Sequence, residues 1–248
     1  MSGQTDTELA RHIAETAGRL LLELQKSRLF EGKTLGKAGD RIANAFIMEA
    51  LAVQRPADAV LSEEEVNDSA RCSQSRVWIV DPLDGTREYG EGRTDWAVHV
   101  ALALDGRPSI GAVALPGLDL TLCSGRPEVL PATPSKLRML VSRTRPAAEA
   151  LAVAKTLDAE LIPMGSAGAK AMAIVRGEAD IYLHSGGQYE WDNCAPAAVA
   201  LAAGLHVSRI DGSPLSYNNQ NPYLPDLLVC PKAIAVQILE LLTEPKPA

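Results

Sequence analysis

Trp78-Ile79-Val80-Asp81-Pro82-Leu83-Asp84-Gly85-Thr86-Arg87 is an apolar run that breaks into two acids, a proline and a glycine. With Val77 in front of it, the run is β-branched and reads as a buried strand. Pro82 has no N–H to donate to a ladder, so strand pairing is expected to stop at Asp81. Two carboxylates, Asp81 and Asp84, then flank the turn. Gly85 and Thr86 open a short helix, with Asp84 expected near its N-cap. The acids and the freed Leu83 carbonyl suit a hard cation. Amides at a helix start suit a phosphate. Both together make a metal-dependent phosphate site. The same residues equally describe a plain strand, an Asp-Pro turn and a capped helix, so the rest of the chain must decide.

Upstream, Leu9, Ile13, Ala17, Leu20, Leu21 and Leu24 recur at helical spacing over residues 5–29. Glu31 to Lys37 is glycine-containing and basic and reads as a loop. Ala38 to Val53 reads as a second helix with Asp40 near its start, where a plain N-cap role is the competing reading. Ala59 to Ser62 is strand-like and runs into Glu63-Glu64-Glu65, a run that by itself describes a solvated turn. Asn67 to Arg76 is polar and reads as a mobile loop.

Downstream, Trp96 to Leu104 reads as a strand, Asp105-Gly106 as a hairpin turn, and Ser109 to Leu115 and Gly117 to Leu122 as the next two strands of an antiparallel meander. His99, mid-strand and without an acidic neighbour in sequence, reads as core or as a support behind the ligands, not as a catalytic base. Pro127, Pro131 and Pro134 mark a composition break. It divides the chain into an N-terminal α+β unit, residues 1–130, and a C-terminal α/β unit, residues 131–248. In the second, strands (137–141, 160–163, 179–183, 205–210, 227–230) alternate with helices (147–157, 167–176, 195–203, 233–242). Glu190-Trp191-Asp192 is expected to close the loop before the apolar helix from Ala195.

Bulk properties narrow the function. Of 248 residues, 46% are hydrophobic and 22% charged, as in ordinary globular proteins. With 24 basic and 31 acidic residues the net charge is −7, which argues against nucleic-acid backbone binding. An anionic small substrate stays open, because bound cations reverse the local sign. Cys72, Cys123, Cys194 and Cys230 lack metal-binding spacing and read as buried thiols in a reducing compartment. Met1-Ser-Gly-Gln-Thr-Asp6 has no basic-then-apolar pattern, so no signal peptide is expected. No apolar run approaches the roughly 18 residues of a membrane span. These features predict a cytoplasmic protein acting on a small molecule, with no nucleic-acid or membrane partner.

Acids thus fall at three element ends: Glu63, then Asp81 and Asp84, then Asp192. Converging carboxylates repel and raise each other's pKa values unless cations join them. Their all-oxygen character favours Mg²⁺ over zinc. Asp81-Pro-Leu-Asp-Gly-Thr86, preceded by Ser62-Glu-Glu64 and followed by Trp191-Asp-Asn-Cys-Ala-Pro196, resembles the inositol monophosphatase superfamily of lithium-sensitive, magnesium-dependent phosphatases. Val141-Ser-Arg-Thr-Arg145, Gly165-Ser-Ala-Gly-Ala-Lys170 and Gly177-Glu-Ala-Asp-Ile-Tyr182 are similar to the CysQ-type 3′(2′),5′-bisphosphate nucleotidases within it.

The resemblance implies a layered α-β-α-β-α sandwich of the inositol monophosphatase and fructose bisphosphatase type. It implies two or three Mg²⁺ ions held by Glu63, Asp81, the Leu83 carbonyl, Asp84 and Asp192, with Glu63 also helping to hold a third ion. Thr86, paired to an upstream aspartate best matched by Asp40, would activate the attacking water. Relatives carry a longer segment before that helix, where this chain has only Lys37-Ala38-Gly39-Asp40. Gly85 and Thr86 would hold the phosphate; Asp192, Ser142, Arg143, Arg145, Gly165, Ser166 and Lys170 would line the substrate pocket. Gln188, Tyr189 and Glu190 would shape its floor, and His184 faces it or is structural. The implied reaction is loss of the 3′-phosphate of 3′-phosphoadenosine 5′-phosphate to give AMP, in sulfur assimilation, with the sulfated form as a second substrate. Inositol-1-phosphate or fructose-1,6-bisphosphate hydrolysis and a non-catalytic phospholigand-binding protein are the alternatives. A homodimer is common among such relatives.

Overall fold

Successive strand residues face opposite sides of a sheet, and that alternation sorts the core into layers. The structure is a computed structural model and describes residues 4–243. Met1, Ser2 and Gly3 of the N-terminal reading lie outside the described residues.

The first sheet runs β1 (Ala59–Ser62), β2 (Arg76–Asp84), β3 (Ala97–Leu104), β4 (Arg107–Leu115), β5 (Leu120–Cys123), with β1 parallel to β2 and the rest antiparallel. Trp78, Val80, Val98, Val100 and Leu102 face α1 (Asp6–Ser27) and α2 (Gly32–Gln54), packing on Leu9, Ile13, Leu21 and Ile47. The residues between them, such as Val77, Ile79, Ala97, Ala101 and Val113, face the other way. Their neighbours are α5 (Ala167–Val175) and α6 (Glu190–Ala202). The second sheet has the order β7 (Glu160–Met164), β6 (Arg138–Ser142), β8 (Ile181–Ser185), β10 (Asp226–Cys230), β9 (His206–Ser208). Its inner face, with Leu140, Tyr182, Leu227 and Val229, closes on the same two helices. Its outer face, with Met139, Val141, Ile181 and Leu228, lies under α4 (Ala148–Thr156) and α7 (Lys232–Thr243). The result is the expected α-β-α-β-α stack. Helices α5 and α6 are buried on almost every side, as apolar all-round helices must be. Residues 124–137, with the three prolines, connect the two sheets. No helix among the described residues is long and apolar enough to cross a membrane.

Several local expectations fail. The loop expected over Glu31 to Lys37 is helical: α2 begins at Gly32, so Asp40 lies inside the helix and is no N-cap. The reason is packing. Added Cβ atoms would lie 2.7 Å from Thr86 Cγ2 at Gly36 and 2.9 Å from Tyr89 Cε1 at Gly39. These glycines let α2 seat directly on α3 (Thr86–Gly90), a tertiary gain that overrides their poor helix propensity. Asn67 to Arg76 is not a loose loop. Ser69–Ser73 forms a 3-10 turn, and buried Arg71 bonds Asn67, Asn218 and Asn219. Glu190-Trp191-Asp192 belongs to the first turn of α6, where the Asp192 carboxylate accepts from Tyr189 N. Cys72 is exposed; the other three thiols are buried.

Gly39→Ala tests the seating. Helix propensity alone favours alanine by about 1 kcal/mol, but the added methyl meets Tyr89, Leu21 and Leu83 at 2.9–3.0 Å. Overpacking of that kind costs about 1–3 kcal/mol. A net loss of stability in denaturant titration is expected; a stabilised variant would mean α2 stands off further.

Candidate active site

The extra residue in β2 builds the centre. Asp81 pairs with His99 and Asp84 with Ala97, so three steps on β2 oppose two on β3. In a regular strand residues three apart point to opposite faces. The bulge cancels that alternation, and both carboxylates turn to the side of α5 and α6. Pairing therefore does not stop at Asp81 as expected; it skips Pro82, which needs no ladder partner in a bulge, and resumes at Asp84.

Asp192, on the first turn of α6, completes the group. One carboxylate oxygen from each of Asp81, Asp84 and Asp192 lies within 4.8 Å of the others. Glu63 follows β1 and stands beside the group rather than within that spacing, its carboxyl interacting with Asp81. Leu83 is buried, its N–H donating to Asp81 Oδ1 at 3.0 Å. Burial raises the Asp81 pKa well above the carboxylate range, and the charges of Glu63, Asp84 and Asp192 add to it. Glu63 is exposed as a residue, yet shielding around its carboxyl, with Asp40 and Asp84 nearby, pushes it up to about 7. Burial, then Asp84, pushes Asp192 up to about 7. Four crowded acids with only oxygen to offer fit divalent hard cations, which would remove the repulsion.

Asp84 differs. It does not cap α3, as expected; it caps α5 from a distance. Its oxygens accept from Ser166 Oγ at 2.5 Å, Gly168 N at 2.6 Å and Ala167 N at 3.1 Å. His99 Nε2 lies 3.3 Å away, an ionic contact without good hydrogen-bond alignment. Burial opposes the charge, but His99, Ser166 and the Gly168 amide bring the Asp84 pKa down to about 2. His99 Nδ1 meets the Trp191 carbonyl at 3.0 Å, so this buried ring links β2 to the first turn of α6. Burial works against a charge on His99; the Asp84 carboxylate nevertheless carries its pKa above the usual value.

Thr86 Oγ1 stands 3.1 Å from the Leu83 carbonyl and 3.4 Å from Asp40 Oδ1. Burial and then Glu64 push Asp40 up to about 7, against the Thr86 hydrogen bond. Gly85 at φ +87° sets the turn between Asp84 and Thr86.

The residues expected around the substrate divide. Arg143 Nη2 is held by Glu88 at 2.8 Å and Glu91 at 2.9 Å. Lys170 is buried and donates to the carbonyls of Gly165 and Ser166 at 3.0 and 2.5 Å; burial lowers its pKa. Gly165 packs on Glu88 and donates to Asp95. Ser166 is committed to Asp84. These four brace the loop that grips Asp84. Ser142 Oγ accepts from Arg145 N at 3.2 Å, and Arg145 is exposed. His184 bonds the Gly186 carbonyl, and burial, then Lys170, lowers its pKa to about 4. Glu190 and Gln188 are buried. Asp95, which anchors the Gly165 amide, carried no motif signal in sequence.

The raised acids predict a pH dependence. Groups whose folded pKa exceeds the unfolded value, about 4 for carboxyls, add stability that is complete below that value and lost as pH rises through the folded pKa. For Asp40, Glu63 and Asp192 the loss falls between about 4 and 7. Asp84 behaves oppositely, but its window lies below about 4. The gain in Tm from Mg²⁺ over EDTA is therefore expected to be larger at pH 8 than at pH 5. An equal gain at both would contradict the acid cluster as the binding site.

Comparison with known proteins adds to this geometry. The model of the inositol monophosphatase family matches residues 4–244. A 3′-phosphoadenosine 5′-phosphate phosphatase of Mycobacterium leprae (strain TN) is 49% identical, over 97% of this chain and 94% of that protein. The 3′(2′),5′-bisphosphate nucleotidase CysQ of Escherichia coli (strain K12) is 30% identical, over 75% of this chain and 81% of that protein. Inositol monophosphatase-II from Staphylococcus aureus MSSA476 shares the fold at a TM-score of 0.80 and 20% identity, covering 93% and 92% of the two chains.

Proposed function

The chain belongs to the inositol monophosphatase family, and from that premise we propose that it is a magnesium-dependent phosphatase removing the 3′-phosphate of 3′-phosphoadenosine 5′-phosphate. The observation that carries the reading is the meeting of Asp81, Asp84 and Asp192 oxygens within 4.8 Å. The 49% identity to a phosphatase named for that substrate supports the choice of substrate.

Glu63, Asp81, the Leu83 carbonyl, Asp84 and Asp192 would hold the cations. Bound divalent ions supply charge neutralisation at the transferred phosphoryl group and a lowered pKa for a coordinated water. The chain's own groups do the rest. Asp84, fixed by Ser166, Gly168 and Ala167, keeps its charge and its aim. Thr86 Oγ1 can turn its proton to Asp40 and offer a lone pair to the attacking water. Asp40, with a pKa near neutrality, then accepts the proton that water gives up. Asp192, with Asp84, would hold the cation that neutralises the departing 3′-oxygen. No side chain is required to form a covalent phosphoryl intermediate.

Phosphate release with Mg²⁺ from 3′-phosphoadenosine 5′-phosphate, its sulfated form, inositol 1-phosphate and fructose 1,6-bisphosphate tests the reading. The first is expected to give the highest kcat/KM. A preference for inositol 1-phosphate or fructose 1,6-bisphosphate would refute the substrate. No release from any would favour a ligand-binding protein.

A further inference from the structure

Of five tyrosines, Tyr89, Tyr182 and Tyr217 are buried, whereas Tyr189 and Tyr223 are 40% and 41% exposed. The two exposed rings touch. Tyr223 stands edge-on to Tyr189 at 5.6 Å, and Tyr189 stacks on Trp191 at 4.8 Å with planes 7° apart. Exposed aromatic residues scattered singly mean little; three in contact form a surface. This surface is firmly built. Residues 187–190 and 222–224 are pinned by Glu190 N to Pro222 O at 2.8 Å, Leu224 N to Gln188 O at 3.0 Å and Gly187 N to Tyr223 Oη at 3.2 Å. It also adjoins the reaction centre, because the Tyr189 amide donates to Asp192.

A cation lies beside it. A Cβ on Gly187 would sit 3.7 Å from Arg145 Nη1. Arg143 and Lys170 are committed to protein oxygens; Arg145 is exposed and takes part in none of the ion pairs among the described residues. An aromatic face with an open guanidinium, next to a phosphate-transfer centre, matches a nucleotide's base and second phosphate.

Resting on the nucleotide reading above, we infer that Tyr189, Trp191 and Tyr223 form the platform on which the substrate's base stacks, with Arg145 holding the phosphate that is not transferred. The platform reads the presence of a base and not its identity. Gln188 is tied to Tyr182 Oη and Asn193, and Glu190 to Asn218 and Asn219. The two side chains of this segment able to read a base edge are thus spent inside the protein. Stacking alone tolerates any base.

The test has two arms. In the first, kcat/KM with Mg²⁺ is compared for the 3′,5′-bisphosphates of adenosine, guanosine and base-free ribose. The two nucleotides are expected within about tenfold of each other, and both above the base-free compound by about 5- to 150-fold, the range of one base stack. Tyr189→Leu with Tyr223→Leu should collapse that ratio toward one; Tyr189→Phe should keep it. An unchanged ratio in the double leucine variant would overturn the platform, and so would an adenosine preference above 100-fold. The second arm does not depend on turnover. Trp78 and Trp96 are buried, so Trp191 is the accessible tryptophan. Adenosine 5′-phosphate should quench its fluorescence, and the leucine variants should abolish the quench. Quenching in a protein that prefers inositol 1-phosphate would sink the substrate reading and keep the platform. No quenching in a protein that hydrolyses the nucleotide would do the reverse. Loss of a dimer in the leucine variants, with base preference intact, would assign the patch to a subunit contact.

Discussion

Asp81→Asn is expected to stabilise the metal-free protein and to abolish turnover. Asp81 is buried among Glu63, Asp84 and Asp192, and its carboxyl is forced toward the neutral form. Asparagine supplies that neutral form without a proton. Its Oδ1 can still accept the Leu83 amide, and its Nδ2 can donate to Glu63. The metal-free Tm at pH 8 should therefore rise. Ligand stabilisation, about 2.7 kcal/mol at a hundredfold excess over Kd, should vanish when Mg²⁺ is added. Bound cations contribute several kcal/mol at the transition state, which at 1.36 kcal/mol per decade is about three orders of magnitude in kcat/KM. Asp192→Asn should follow the same pattern. Asp84→Asn should not: its carboxylate accepts from three protein donors and faces His99, and breaking a buried pair of that kind costs about 3–5 kcal/mol. Activity retained in Asp81→Asn, or a Tm that still responds to Mg²⁺, would remove the acids from the reaction.

Thr86→Val should lower kcat by about 10²- to 10⁴-fold, the usual worth of a positioned proton acceptor, while leaving the fold intact. Valine keeps the methyl that meets Gly36 and loses the hydroxyl between Leu83 and Asp40. Asp40→Asn should cost a similar factor. If the two act as one unit, the double variant should be little worse than either single variant. Multiplying losses would mean that Thr86 and Asp40 serve different steps.

Much of this architecture could be read from residue order. The β-branched apolar run before Asp81 and the Asp105-Gly106 hairpin after Leu104 located the first sheet. The Asp-Pro-Leu-Asp-Gly-Thr turn located the acids. What could not be read depended on partners far along the chain. The bulge exists only relative to β3. The helix from Gly32 is invisible in propensity, because Gly36 and Gly39 gain their value from Thr86 and Tyr89. Arg143 and Lys170 looked like open cations until Glu88 and the carbonyls of 165–166 came beside them. Tyr223 gave no signal at all; it lies far from Tyr189 in sequence and meets it only through the pairing of 187–190 with 222–224.

The bulge in β2 also limits how such a chain can change during evolution. Deleting Pro82 or Leu83 would leave composition, hydropathy and every acid in place. It would keep Asp81 and Asp84 on one face at the regular two-residue spacing, but it would remove the bulge that frees the Leu83 N–H for Asp81 and the Leu83 carbonyl for Thr86. Connectors such as 124–137 can gain or lose residues without that penalty. Length at residues 82–83 is therefore under stricter selection than length in that connector, and single deletions at 82 or 83 should weaken the metal response more than single deletions within 124–137.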